Sequence, residues 1–205
     1  MKFKNNKKTK ESDMDEYRYF AGSNRNNATS TRLGEYAVEI IRAQGHQASL
    51  FDLYQTPLPF YAPDEKQADH EHLADLNTRM LAADAIILST PEYHGSISGV
   101  LKNALDHLSQ AHFSGKPVLS ISSSGGAVGV SSLLQLQAIV RNLHGINAQE
   151  WISIGGAQRR RFEATFDGYE EYEGSQDIED RVQRVIGSFL NLAETLTNAR
   201  NSSMS

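Results

Sequence analysis

The chain has 205 residues, contains no cysteine and carries a formal net charge of −5 at pH 7. This length predicts a single domain whose core is large enough to be stable without cross-links. The lack of cysteine excludes disulfides and thiolate metal sites, and the acidic balance disfavours a dedicated nucleic-acid binder. No apolar run approaches the roughly 18 residues of a membrane span, and no apolar core follows the N-terminal lysines as in a signal peptide. We therefore expect a soluble cytoplasmic protein with neither nucleic acid nor a membrane as partner.

The N-terminal segment 1–16 joins a lysine-rich half to an acidic half and has few apolar side chains. This composition predicts a disordered tail, and a nucleic-acid-binding arm is disfavoured because the two halves balance in charge. One domain is then expected over 17–197, with a frayed end at 198–205. Residues 17–21 are the expected first strand, although Arg18 does not fit the nearly continuous apolar pattern of a central parallel strand.

The polar stretch 22–31 opens a helix that is predicted to end near Gln44. A helix N-terminus offers unpaired N–H groups and the positive end of the helix dipole, and the hydroxyls and arginine of this stretch add donors for a dianionic phosphate. A simple cluster of helix-capping hydroxyls would have the same composition. These residues alone leave both interpretations open.

A second strand is expected over 47–53, and the loop 54–64 that follows alternates prolines with apolar side chains, including Phe60 and Tyr61. Such a loop is too apolar for an ordinary surface connection. It either folds onto the core of its own domain or forms a contact surface.

The second helix is predicted over 67–83 and includes His70 and His72. Side chains two positions apart on a helix lie about 200° apart around its axis, so these histidines could not share an ion. No metal site is predicted.

The third strand is predicted at the apolar run 85–88, and residues 100–108 show the apolar spacing of a helix. The loop between them, 91–98, follows the carboxyl end of a strand, which is where ligand crevices form in open α/β sheets. Within it, Gly95 allows backbone amides to approach a flat ligand. The loop is therefore predicted to bind a ligand.

The same stretch resembles the signature of the NADPH-dependent FMN reductase family, flavodoxin-like enzymes that include azobenzene, quinone and chromate reductases. The resemblance lies in Pro91-Glu92-Tyr93-x-Gly95-Ser96 followed by Gly99-Val100-Leu101-Lys102-Asn103-Ala104-Leu105-Asp106. Weaker similarity extends from about Gly22 to about Leu192. The family usually has Asn where this chain has His94, and Pro where it has Ser98.

The resemblance implies an FMN site made of three segments. By position, the family's phosphate ligands correspond to Ser23, Arg25, Ser30 and Thr31. The loop that holds the flavin ring, mostly through backbone groups, corresponds to Pro91, Glu92, Tyr93, His94 and Gly95. The family's Ser-x-Gly-Gly element corresponds to Ser122, Gly125 and Gly126. No catalytic side chain is implied, and His94 is the one titratable change, whose protonated imidazole is expected to favour reduced FMN.

The remaining elements follow the same alternation of strand and helix. They are a fourth strand at 117–122, a glycine-rich loop at 123–129, a helix at 133–143, a fifth strand at 147–154 and a last helix at 178–196.

An arginine run follows the predicted fifth strand, at Arg159, Arg160 and Arg161. Arginines suit the 2′-phosphate of NADPH, because the guanidinium binds phosphate oxygens in pairs. A solvated charge run or a salt bridge across a dimer is the simpler interpretation.

The order of elements predicts an α/β fold, a flavodoxin-like doubly wound sheet of five parallel strands in the order 2-1-3-4-5, with FMN at the point where the strand order reverses. The resemblance implies an enzyme that takes hydride from NADPH or NADH onto FMN. It would pass the electrons to azo compounds, quinones, free flavin or metal oxyanions with ping-pong kinetics, as a homodimer or homotetramer. The alternatives are an electron carrier that does not oxidise nicotinamide, and a relative that has lost the flavin.

Overall fold

The structure is a computed structural model that describes residues 16–65, 70–163 and 175–203. The tail expected over 1–16 lies outside these ranges except for Glu16. The predicted start of the second helix at 67–69 also lies outside them, and so do the last two residues of the segment expected to fray.

The strands of the described ranges form one parallel sheet. They are β1 (Glu16–Ala21), β2 (Gln47–Asp52), β3 (Ala85–Pro91), β4 (Pro117–Ser123), β5 (Ile146–Asn147) and β6 (Ile152–Ile154). Their order is β2-β1-β3-β4-β5, with β6 also paired to β4. The predicted flavodoxin-like order of strands is confirmed.

The predicted first strand is a regular central strand. Its pairing to both β2 and β3 is parallel and continuous, and Tyr17 and Tyr19 are fully buried. Arg18 lies between these two tyrosines. Its guanidinium donates to Ser49 Oγ at 3.0 Å and forms an ion pair with Glu16. A charged residue is tolerated here because its guanidinium finds partners at the end of the strand.

The fifth strand was expected to be continuous over 147–154, and this prediction was wrong. The ladder with β4 is interrupted between β5 and β6, where Glu150 turns toward the last helix and pairs with Arg184 at 2.7 Å. Trp151, the large apolar residue of the predicted strand, is half-buried and lies directly before β6.

The helices cover both faces of the sheet. They are α1 (Thr29–Ala43), α2 (Glu71–Ala82), α3 (Gly99–Asp106), α4 (Gln110–Phe113), α5 (Val130–Asn142) and α6 (Ser175–Ser203), with a 3-10 helix at Gly156–Phe162. One core lies between the sheet, α1 and α6, and a second lies between the sheet, α2, α3 and α5. The last helix ends at Ser203, beyond the predicted end near Leu196. Fraying of the final residues stays a prediction.

A buried histidine, His112, joins α4 to α2. Its Nε2–H donates to Asn77 Oδ1 at 2.9 Å, and its Nδ1 accepts the backbone N–H of Ser109 at 3.0 Å. This arrangement requires a neutral ring, and burial lowers the pKa of His112 below its ordinary value of 6.5.

Acidification is therefore expected to destabilise the fold through His112. Below pH 6.5 the unfolded chain binds a proton at this ring that the folded chain does not bind, so the free energy of unfolding decreases as the pH falls, by at most about 1.4 kcal/mol per pH unit. Urea unfolding at pH 7.5, 6.5 and 5.5 measures this effect. The matched variant His112→Gln is expected to show a shallower pH dependence, and an equal slope in both proteins would contradict the assignment.

No helix in the described part of the chain is both long and apolar enough to cross a membrane.

Candidate functional site

The carboxyl ends of β1, β3 and β4 border a cavity of about 290 Å³. Three loops and the 3-10 helix meet there. The lining residues are Ser23, Arg25, Ala28, Thr29, Ser30, Pro91, Glu92, Tyr93, Ser123, Ser124, Gly125 and Arg159. The structure thus brings parts of the three segments predicted from the sequence into one site.

The loop after β1 and the start of α1 form one wall of the cavity. Helix α1 begins at Thr29, and its N-cap residue, Ala28, supplies no side-chain acceptor for the N–H groups of the first turn. Ser30 Oγ is buried and makes no hydrogen bond within the described residues. Nearby, Arg25 is exposed, and its backbone N–H donates to the buried Ser23 Oγ at 3.2 Å. Unsatisfied donors at a helix N-terminus next to a cation fit a phosphate group.

The base of this loop is held by a close contact at Gly22. Its N–H donates to Ser89 O at 2.8 Å, and its carbonyl accepts Ser98 Oγ–H at 2.5 Å. Ser98 also accepts Leu101 N–H at 3.1 Å and so caps α3. Ser98 therefore links the loop after β1 to α3.

Thr31, predicted as a phosphate ligand, does not line this cavity. Its hydroxyl donates to Asp52 Oδ1 at 3.5 Å and borders a separate polar hollow near Asn27 and Arg79. Burial raises the pKa of the Asp52 carboxyl. Thr31 follows Ser30 on α1, so the helical twist directs the two hydroxyls to different sides.

The loop after β3 is attached to α5 through Glu92. The Glu92 carboxylate accepts Ser132 N–H at 2.9 Å in the first turn of α5, where negative charge is favourable. The backbone N–H of Glu92 donates to Ser123 O at 2.8 Å. Glu92 therefore fixes the loops after β3 and β4 to each other.

The tip of the same loop is a type I′ turn. Tyr93 and Ser96 exchange two backbone hydrogen bonds of 3.0 Å, and the two central residues, His94 and Gly95, have φ values of 53° and 73°. Both central residues are exposed and neither borders the cavity, although the Gly95 carbonyl accepts Gln135 Nε2–H at 3.0 Å. Asn adopts left-handed backbone more readily than any residue except glycine, so Asn would fit the position of His94 with less strain.

Two substitutions at His94 are expected to differ in stability. Asn fits the left-handed conformation, so His94→Asn should leave the free energy of unfolding unchanged or slightly higher. His94→Val should lower it by about 1–2 kcal/mol, because a β-branched residue is strained there. Urea unfolding of both variants measures the difference, and equal stability would contradict the turn assignment.

The glycine-rich loop after β4 is packed against the segment after β6. Gly156 N–H donates to Gly126 O at 2.8 Å, and a Cβ at Gly155 would lie 2.2 Å from the same oxygen. Of the predicted ring contacts, Gly125 lines the cavity, whereas the buried Ser122 hydroxyl donates to Gly129 O at 2.6 Å and shapes the loop from below. Gly126 does not line the cavity, and its carbonyl binds the N–H of Gly156.

The three arginines of the run 159–161 have different surroundings. Arg159 lines the cavity beside Gly125, Arg160 is exposed, and Arg161 pairs with Glu179 on α6 and lies over the Tyr36 ring of α1. From the sequence, Arg159 was a candidate for the 2′-phosphate of NADPH or for a charged surface, and it was not among the predicted FMN ligands. The only signal was its position a few residues after the last strand of the sheet, where loops at carboxyl ends converge.

The loop 54–64 lies against α3 and is held there by side chains at the end of that helix. Asn103 Nδ2–H donates to Pro59 O at 2.8 Å, its Oδ1 accepts Tyr61 N–H at 2.9 Å, and His107 Nε2 lies 3.0 Å from the same Pro59 oxygen. Phe60 is 88% exposed at the tip. The loop therefore presents apolar surface outward instead of folding entirely onto its own core.

The expected separation of His70 and His72 was wrong. His70 precedes α2 with extended backbone, and the two ring centroids lie 5.5 Å apart. Within the described ranges no group of three or more metal-binding side chains comes together.

Comparison with known proteins gives consistent results. Residues 18–159 match the model of a family described as NADPH-dependent FMN reductase. An FMN-dependent NADPH-azoreductase of Staphylococcus aureus is 41% identical over 129 residues, which cover 61% of this chain and 69% of the relative.

Among solved structures, the flavoenzyme NAD(P)H:(acceptor) oxidoreductase FerB from Paracoccus denitrificans superposes with a TM-score of 0.69 at 20% identity, over 89% of this chain and 98% of that one. The apo form of an NADH:FMN oxidoreductase superposes with a TM-score of 0.66 at 21% identity, over 86% and 88% of the two chains. At these identities the structural likeness establishes the fold.

Proposed function

The chain belongs to the NADPH-dependent FMN reductase family, and from this membership we propose that it uses FMN, bound in the cavity at the carboxyl ends of β1, β3 and β4, to pass electrons from NADPH to flat aromatic acceptors such as azo compounds and quinones. The cytoplasm, where reduced nicotinamide is available, is the proposed location. One observation carries the assignment of the site. The buried Ser30 hydroxyl, which has no hydrogen-bond partner among the described residues, and the N-terminus of α1, which lacks a side-chain cap, line the same cavity as the loops after β3 and β4.

The residues present fit FMN at both ends. Ser23, Arg25 and Ser30, with the first-turn amides of α1, would hold the phosphate, because they combine donors with positive charge. The parts of the two loops that line the cavity, 91–93 and 123–125, would border the ring. Bound FMN supplies the redox chemistry, since its ring accepts a hydride from reduced nicotinamide and gives up electrons to an acceptor.

The chain's own contribution is to position the flavin and to leave one side open. Glu92 and Gly155 fix the two ring-binding loops before any ligand arrives, so little ordering is required on binding. Tyr93 and Val128 are exposed beside these loops, at 41% and 59% of their surface. An apolar, open rim suits the stacking of flat donors and acceptors. Because one crevice would serve both in turn, the proposed kinetic scheme is ping-pong.

Steady-state kinetics test this scheme. With NADPH and an azobenzene dye varied together, double-reciprocal plots are expected to give parallel lines, and a benzoquinone should compete with the dye. Intersecting lines would contradict an alternating use of one site, and absence of turnover with both acceptors would contradict the proposed acceptor class.

A homodimer formed through the loop 54–64 is part of the proposal. Phe60 and Tyr61 expose apolar surface that a second copy could cover, and Asn103 and His107 hold the loop in its outward conformation. Light scattering after size exclusion is expected to give twice the chain mass for the natural protein and a lower mass for Phe60→Ser. A monomeric natural protein would contradict this assembly.

A further inference from the structure

We propose that Arg159 is an electrostatic contact of the flavin ring that stabilises the reduced form more than the oxidised form. This inference rests on the proposed function, because it concerns the same cavity. Arg159 lines that cavity on the side of the glycine-rich loop, and its Nη1 lies 3.8 Å from the position of a Cβ at Gly125. The proposed phosphate ligands Ser23 and Ser30 belong to other segments of the lining, the loop after β1 and the start of α1.

The backbone that carries Arg159 is fixed relative to the glycine-rich loop. Ser124 N–H donates to Ile154 O at 2.9 Å, and Gly156 N–H donates to Gly126 O at 2.8 Å. A Cβ at Gly155 would overlap two carbonyl oxygens of the same loop, which shows how closely the two segments approach. The arginine therefore moves with the loop that is proposed to border the ring.

The guanidinium of Arg159 has donors available for a ligand. Its Nε is buried and makes no hydrogen bond within the described residues. Its ion-pair partner there, Glu163 Oε1, lies 3.7 Å from Nη2, beyond hydrogen-bond distance. By contrast, Arg161 is held by Glu179 and by two aromatic rings. Among the three arginines, Arg159 is the one whose charge is directed into the cavity.

Reduction adds negative charge to the flavin ring, and the guanidinium of Arg159 would stabilise that charge. When NADPH transfers a hydride, it becomes NADP⁺, and the flavin gains two electrons and one proton, which leaves the ring with one additional negative charge. In a site with limited water access, a nearby guanidinium stabilises that charge. Other charged groups of the cavity are Arg25, on the phosphate side, and Glu92, whose carboxylate is bonded to the N-terminus of α5.

Two variants of opposite sign test the proposal on the FMN-bound protein. Arg159→Gln is expected to lower the affinity for reduced FMN about tenfold relative to oxidised FMN, which corresponds to a midpoint potential about 30 mV lower for a two-electron couple. Glu163→Gln, which removes the carboxylate that partly balances Arg159, should shift the potential upward. Arg160→Gln, in the exposed neighbouring arginine, is the matched control and should leave it unchanged.

Potentials are measured by equilibration with reference dyes and a chemical reductant, and the dissociation constant of oxidised FMN by fluorescence quenching, so neither readout depends on turnover. An unchanged potential in Arg159→Gln, or equal losses of affinity for oxidised and reduced FMN, would overturn the role of Arg159 alone. A natural protein that binds no FMN would overturn the proposed function as well. If Arg159→Gln does not fold, an unchanged or lower potential in Glu163→Gln is the overturning result.

Discussion

Arg25→Gln is expected to weaken FMN binding about tenfold to a hundredfold and to leave riboflavin binding nearly unchanged. A charge-assisted hydrogen bond is worth about 1.5–3 kcal/mol, and each 1.4 kcal/mol corresponds to a factor of ten in affinity. The Arg25 side chain is exposed in the loop after β1, so its loss should not disturb the fold. Fluorescence titration with both flavins gives the two constants.

Riboflavin serves as the matched control, because it has the same ring and ribityl chain without the phosphate. Ser30→Ala removes the buried hydroxyl that has no partner in the described residues and should weaken FMN binding by a smaller factor, again with little effect on riboflavin. If Arg25→Gln weakened both flavins equally, the phosphate would not lie in the loop after β1.

Gly22→Ala is expected to destabilise the fold by about 3 kcal/mol and to abolish flavin binding at moderate temperature. A Cβ at this position would lie 2.6 Å from Ser89 O and 2.8 Å from Leu101 Cβ, and neither neighbour is the flexible end of a side chain. Overpacking of this kind typically costs about 1–3 kcal/mol. The displaced loop would also carry Ser23 and Arg25 away from their positions. Urea unfolding and FMN titration measure the two effects.

Gly187→Ala is the matched control for this substitution. Gly187 lies within α6 with nothing inside 4 Å of its added Cβ, so alanine there should stabilise the protein by up to about 1 kcal/mol. Equal stability of the Gly22→Ala and natural proteins would show that β1, β3 and α3 can separate at the site without cost.

The sequence predicted the fold well where side-chain pattern alone determines structure. The apolar run of β3, the motif that follows it and the regular alternation of strands and helices were sufficient for the order of the sheet. The N-terminal end of α1 was also identified, because hydroxyls and an arginine next to a helix start have a direct physical meaning.

Two features of the strands depend on side-chain contacts that no local pattern reports. The first strand was predicted correctly although Arg18 does not fit its apolar pattern, and contacts with Ser49 and Glu16 explain why this residue is tolerated. The break between β5 and β6 arises where Glu150 meets Arg184 on α6, a contact that no local pattern reports.

In the candidate site, the sequence likewise did not predict the direction of single side chains. Thr31 and Ser30 are adjacent in sequence, yet the twist of α1 directs them to Asp52 and to the cavity respectively. In the arginine run, only tertiary packing separates Arg159 in the cavity from Arg161 on α6. Sequence identifies the segments of such a site, whereas the direction of each side chain follows from packing.

The visible spectrum of the purified protein, recorded before and after anaerobic addition of NADPH, tests the central claim most directly. We expect flavin absorption that disappears on NADPH addition and returns when an azobenzene dye is supplied. Flavin that stays oxidised with NADPH but is bleached by dithionite would contradict the reductase function and indicate an electron carrier. A protein that remains colourless after mixing with FMN would contradict the cofactor site formed by Ser23, Arg25 and Ser30.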